Sequence, residues 1–201
     1  MGYVAGTNLY SYCFNDPVNE IDPLGLLTVI IHGIGHHQAG YSGELGNYLR
    51  ANGETVIEYY WSGDLLALGE QSEVASNLAG LLRNAKRLAD DRGENLNIIS
   101  HSQGTRLAYK AVIQSKVKVD NLLTLGSPYA SQYPRPGKVV HWVNIWSELD
   151  PISYPSAITR GYDIRIDSSH TDYWNESKIN PQLLEILKRL LFDKKTSKKK
   201  C

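Results

Sequence analysis

A serine in the run Leu96 to Val112, LNIISHSQGTRLAYKAV, stands where a nucleophile would. A short apolar stretch (Leu96, Ile98, Ile99) leads into Ser100-His101-Ser102-Gln103-Gly104, after which Leu107, Ala108, Ala111 and Val112 recur on one face of a helix. That order predicts strand, sharp turn, helix. A serine at such a turn is held in a strained backbone conformation that pushes its hydroxyl out above the C-terminal edge of a sheet. The N–H of Gln103, opening the helix, points at the oxygen of whatever carbonyl the serine attacks. The chemistry implied is acyl transfer through Ser102. Serine is a poor nucleophile at its own pKa, so it needs a base within hydrogen-bond reach, and the base needs a third group to fix its tautomer. The usual spacing is G-x-S-x-G; here Ser100 stands at the first glycine, and serine is the next smallest residue for a place where strand and helix backbones crowd.

The partners of Ser102 must come from elements that end at the same edge. Leu27 to Ile31 is a β-branched run suited to a buried parallel strand, and it ends in His32-Gly33-Ile34-Gly35-His36-His37. Residues 42 to 51 read as a helix, 55 to 61 as a strand and 65 to 92 as a long helix with leucines recurring at three and four. The Ser102 strand and helix follow, then strands at 121 to 125, 138 to 146 and 162 to 166, and a closing amphipathic helix at 181 to 192. Alternation of this kind predicts a mostly parallel sheet with helices on both faces. Functional groups then collect at the C-terminal ends of the strands.

That rule selects Asp150, just past the fifth of these strands, as the orienting carboxylate, with Glu148 as the alternative. Asp120 precedes its strand and falls at the opposite edge. His170, on the loop leaving the last strand, is the expected base. His141 lies in mid-strand and is expected to be packed, and His101 is the variable residue of the turn. His32, His36 and His37 have no carboxylate or cysteine at ligand spacing, so no metal is expected.

Composition bounds the remaining choices. The chain has 201 residues, 42% hydrophobic and 21% charged, as expected for one α/β domain with a sizeable core. Net charge is zero, but five lysines (Lys194, Lys195, Lys198, Lys199, Lys200) fall in the tail, leaving 16 bases against 21 acids in the body. A mildly acidic body argues against nucleic acid as a partner. No apolar run is long enough to cross a bilayer, and MGYVAGTNLY lacks the regions of a signal peptide. Cys13 and Cys201 are too few for a disulfide framework.

Residues 3 to 26, YVAGTNLYSYCFNDPVNEIDPLGL, contain three acids and no base and are punctuated by Asn15-Asp16-Pro17 and Asp22-Pro23. The stretch from Gly6 to Leu26 closely resembles the end of the core domain in Rhs and YD-repeat proteins, where a similar pattern marks the boundary with a variable C-terminal toxin. The resemblance implies a leader over 1–26 and a toxin domain over 27–193; the lysine run reads as a basic, disordered tail over 194–201. It further implies release of the toxin after Leu26 by the rest of the shell, secretion as part of a larger effector, action in a target bacterial cell, and a cognate immunity protein as partner.

The turn at Ser102, together with Leu125-Gly126-Ser127-Pro128, resembles lipases and esterases of the α/β-hydrolase superfamily, and the order Ser102, Asp150, His170 is theirs. The resemblance implies an α/β-hydrolase fold, no cofactor, and an oxyanion hole from the N–H groups of Gln103 and Ile34, with Gly33 as the near alternative to Ile34. A lipid ester is the expected substrate, reached through transient contact with a membrane surface. Segments 128–137 and 151–161, with Tyr129, Tyr133 and Tyr154, are the expected rims of the pocket. Two other classes stay open: a serine hydrolase acting on a soluble thioester, amide or peptide, and a non-catalytic module that keeps the fold for binding.

Overall fold

A computed structural model describes residues 26–34, 42–61, 71–128, 130, 135–155, 162–175 and 178–192. The leader up to residue 25, His36, His37, Tyr129, Tyr133 and the lysine tail lie outside the described residues, so the domain boundary and the resemblance carried by the leader are not represented among them.

Six strands form one fully parallel sheet. In chain order the elements are β1 (Leu26–Ile31), α1 (Gly43–Ala51), β2 (Thr55–Tyr59), α2 (Gln71–Arg92), β3 (Asn95–His101), α3 (Gly104–Ser115), β4 (Val119–Leu125), β5 (Val139–Trp146), β6 (Tyr162–Arg165) and α4 (Pro181–Leu187), which continues as a π-helical turn over Lys188–Phe192. The sheet order is β2-β1-β3-β4-β5-β6. Chain order therefore reverses between β1 and β3, and the crevice beyond the C-terminal ends of those strands is where open α/β sheets place a site.

Each face of the sheet buries one set of side chains. Leu27, Val29 and Ile31 of β1, with Leu96 and Ile98 of β3, pack under α2 and α3; Leu78 and Leu82 of α2 and Leu107 of α3 are fully covered there. Ile30, Ile99, Leu123 and Ile145 face the other way, against Leu45 and Leu49 of α1 and Leu183 and Leu187 of α4. Strands buried on both faces carry apolar side chains on both, so β1, β3 and β4 read as short apolar runs rather than alternations; polar residues within them, Thr28, Asn97, Asn121 and Thr124, are buried and hydrogen-bonded.

Element bounds differ from the sequence reading at several ends. β1 begins at Leu26, one residue early, and β2 and β6 stop at Tyr59 and Arg165. β4 begins at Val119, so Asp120 lies inside the strand rather than before it; it remains at the N-terminal edge, accepting from the Leu96 N–H at 3.1 Å and pairing with Lys118. His141 is exposed rather than packed, because the outer part of β5 is not covered on that side.

Candidate active site

Ser102 sits one residue beyond β3 and two before α3, at φ 51°. Only it and Lys116 among the described non-glycine residues adopt positive φ. That conformation costs of order 1–3 kcal/mol and persists only where the surroundings hold it. Here the Ser102 N–H extends the sheet by donating to Leu125 O (2.9 Å), and the Ser102 carbonyl accepts from the N–H and hydroxyl of Thr105 (3.0 and 2.7 Å). Strand and helix clasp the turn from both ends.

The small residues around the turn are there for lack of room. A Cβ on Gly104 would come within 2.2 Å of the His32 carbonyl oxygen, and one on Gly33 within 2.8 Å of Ser102 Cβ. Ser100, in place of the usual first glycine, fits because its hydroxyl donates to Leu123 O of the adjoining strand at 3.2 Å. A buried hydroxyl with an acceptor carries little penalty.

The structure brings the three predicted side chains together. His170 Nε2 lies 2.8 Å from Ser102 Oγ, and His170 Nδ1 lies 3.0 and 2.9 Å from the two Asp150 oxygens. A carboxylate can only accept, so Nδ1 carries the proton. Nε2 of the neutral ring is then the acceptor for the serine hydroxyl. Glu148, the alternative acid, points into solvent and pairs with Arg165 at 2.8 Å.

Asp150 is placed by a tight loop after β5. Its side chain is fully buried, Oδ1 accepts from the Ile152 N–H at 3.1 Å, and the Ser147 hydroxyl accepts the N–H groups of both Leu149 and Ser168, tying the acid loop to the loop that carries His170. Tyr173, which the sequence reading did not single out, donates its hydroxyl to Asp150 Oδ2 at 3.2 Å. Burial pushes the Tyr173 phenol above its ordinary range, and the Asp150 charge beside it adds to the rise, so the hydroxyl stays a donor. No local pattern marks Tyr173 as a partner; it reaches the acid only through tertiary folding. Gly126, at φ 55°, leaves space for this cluster: a Cβ there would come within 2.9 Å of Asp150 Oδ2 and of the Tyr173 ring.

The two expected oxyanion donors are Gln103, the residue after Ser102, and Ile34, the neighbour of Gly33, on which a Cβ would come within 2.8 Å of Ser102 Cβ. Gln103 is the N-cap of α3, the end of the helix toward which its backbone N–H groups point. On the other side, His32 acts on the loop after β1. The Trp61 N–H donates to His32 Nε2 at 3.4 Å, so Nδ1 bears the proton and donates to the Gly33 carbonyl. In a trans peptide C=O and N–H point in opposite directions. By gripping the Gly33 oxygen, His32 therefore sets the direction of the Ile34 N–H. Its ring is itself fixed by stacking on Trp61 at 5.5 Å and by Trp61 Nε1 donating to the His32 carbonyl. His32 is thus engaged in hydrogen bonds, and among the described residues no group of three His, Cys, Asp or Glu is arranged to hold a metal.

No protein-family model matches the chain, and no curated protein matches it. Solved structures do. Esterase PE8 is 16% identical over 83% of this chain and 91% of its own, with a TM-score of 0.56. The RedJ thioesterase of the prodiginine pathway in Streptomyces coelicolor is 14% identical over 84% and 85%, with a TM-score of 0.53. Alpha/beta hydrolase domain-containing protein 10 from mouse is 13% identical over 80% and 86%, also at 0.53. Identities this low speak to architecture alone, and on that point the parallel six-stranded sheet and its neighbours agree: the chain has the α/β-hydrolase fold.

Proposed function

We propose that this protein is a serine ester hydrolase in which Ser102 is the nucleophile, His170 the general base and acid, and Asp150 the group that orients the imidazole. The observation that carries the reading is the unbroken hydrogen-bonded line from Asp150 through both nitrogens of His170 to Ser102 Oγ, at the reversal point of the sheet. Ser102 Oγ attacks the ester carbonyl carbon while its proton passes to His170 Nε2. Asp150 stabilises the imidazolium that results. Negative charge on the carbonyl oxygen is received by the N–H groups of Gln103 and Ile34, each worth about 3 to 4 kcal/mol in comparable sites. His170 then gives its proton to the departing alcohol, and water enters by the same base to release the acid. No metal or cofactor is required by this sequence of steps.

The proposed substrate is a lipid ester, a phospholipid first of all. Among the described residues, seven large hydrophobic side chains are exposed, and five of them follow the C-terminal ends of strands: Ile34, Tyr60, Leu149, Ile152 and Tyr154. That is the edge from which Ser102 faces out. Exposed apolar groups on the edge of the sheet that carries a site suit a surface that meets apolar material. No helix among the described residues is long and apolar enough to cross a membrane, so contact would be at the surface. The resemblance of the leader to the end of an Rhs core supports a role as an antibacterial effector toxin with a cognate immunity protein.

The test is release of fatty acid from vesicles of mixed bacterial phospholipids, beside hydrolysis of a short, soluble p-nitrophenyl ester. The reading expects the vesicle substrate to be cleaved, and Ile152→Asp with Leu149→Asp to reduce vesicle cleavage about tenfold or more while the soluble ester is affected less than about threefold. Cleavage of the soluble ester alone would move the substrate to a soluble acyl compound. The esterase and thioesterase neighbours keep that second reading in view.

A further inference from the structure

His101 occupies the variable position of the turn, between Ser100 and the nucleophile, where the fold itself asks for no particular side chain. We infer that it is a positioning residue that holds the main chain of His170 at the height where Nε2 meets Ser102. The inference rests on the reading of Ser102 and His170 given above.

The geometry is specific. His101 is 8% exposed, and its Nε2 lies 2.8 Å from the main-chain oxygen of His170 itself. A carbonyl oxygen has no proton to give, so Nε2 carries the hydrogen and donates. The ring lies 4.9 Å from the His170 ring and within 5.3 to 5.7 Å of Trp174 and Tyr173. Its other edge meets the loop after β1: a Cβ on Gly33 would approach His101 Nδ1 to 3.3 Å. One imidazole thus touches the loop that carries the proposed oxyanion donor, the turn that carries the nucleophile, and the loop that carries the base.

A need for such a brace follows from where His170 sits. It lies past β6, a strand of four residues at the edge of the sheet, on a stretch that is neither helix nor strand. Loop segments open more readily than the elements they join. The Asp150 contact fixes the far end of the His170 side chain, and the His101 contact fixes its main chain. Two anchors at opposite ends of one residue define the position of Nε2 where either alone would leave a swing, and a displacement of about 1 Å in such a geometry is enough to cost about a hundredfold in rate. A hydrophobic residue at 101 could fill the volume but could not supply the donor.

The experiment uses the full chain and an alkyl fluorophosphonate, and separates the rate of bond formation to serine (kinact) from the affinity of the initial complex (KI). In His101→Gln the amide nitrogen reaches the place of Nε2. In His101→Asn it stops at the place of Nδ1, short of the His170 carbonyl. His101→Phe keeps the ring and removes the donor. The expected result is that His101→Asn and His101→Phe lower kinact by about tenfold to a hundredfold with KI changed less than about twofold, while His101→Gln stays within about threefold of the parent. Equal losses in His101→Gln and His101→Asn, or a kinact unchanged in His101→Asn or in His101→Phe, would overturn the inference. If His101→Phe fails to fold, the comparison of the two amides decides alone, since both fill the site with a polar group. Ser102→Ala is measured alongside: an adduct that persists there means that the reading of Ser102 has failed, a result distinct from failure of the brace.

Discussion

Replacing Ser102 by alanine is expected to lower the turnover of a p-nitrophenyl ester by about 10⁶-fold, to the level set by binding and oxyanion stabilisation without a nucleophile. Among the groups brought to this edge, Ser102 Oγ is hydrogen-bonded to a base whose other nitrogen is held by a buried carboxylate. Alanine removes that oxygen and nothing else. The backbone keeps its φ of 51°, which costs alanine much what it costs serine, and the clasp made by Leu125 O and Thr105 involves only main-chain atoms of residue 102. Stability should therefore change by about 1 kcal/mol, the worth of one hydrogen bond. Thermal unfolding beside the kinetic assay separates the two effects: a large loss of turnover with a near-parental melting temperature is the expected pair. Residual turnover within about a hundredfold of the parent would mean that another group forms the bond.

Asp150→Asn is expected to lower kcat by about 10⁴-fold with little change in KM. The cause is the tautomer of His170. In the parent, Oδ1 accepts from the Ile152 N–H, and Oδ2 faces both His170 Nδ1 at 2.9 Å and the Tyr173 hydroxyl at 3.2 Å. Ile152 has only a donor to offer, so an asparagine keeps its oxygen there and turns its NH₂ toward His170. Nδ1, which lies 3.0 Å from the retained oxygen and 2.9 Å from the new NH₂, then loses its exclusive acceptor; where it accepts from the NH₂ the ring proton moves to Nε2, which leaves no acceptor for the Ser102 hydroxyl. Shape and packing barely change. A kcat within about tenfold of the parent would show that the acid is not what sets the ring, and would shift attention to the main-chain brace at His101.

Much of this site could be read from the chain because local rules place its parts. Ser102 is marked by a strand, a turn and a helix in immediate succession. Asp150 and His170 follow from the rule that parallel strands deliver their side chains at one edge, once the strands are recognised by their apolar runs. The fold is legible for the same reason: β1, β3 and β4 bury apolar side chains on both faces, and each carries a short apolar run that marks it as a strand.

What escaped was tertiary in origin. Tyr173 lies three residues past His170 with no pattern to single it out, and reaches Asp150 only because the loop after β6 folds back over Gly126. His101 looked replaceable because the turn motif asks nothing of its side chain. It is the meeting of three loops, none of them adjacent in sequence, that gives its ring a partner. His32 has no role legible in the sequence, where no metal is expected at its cluster; a tryptophan 29 residues away makes it a clamp on the Gly33 peptide. His141 was misplaced because burial was inferred from membership of a strand, whereas cover by a second layer decides it.

The measurement that tests the central claim most directly is mass spectrometry of the peptides of the full chain after reaction with a fluorophosphonate. The account predicts a single phosphonyl adduct on Ser102, absent after heat denaturation and absent from Asp150→Asn over the same interval. No adduct on Ser102, or an adduct on a different serine at a comparable rate, would contradict it.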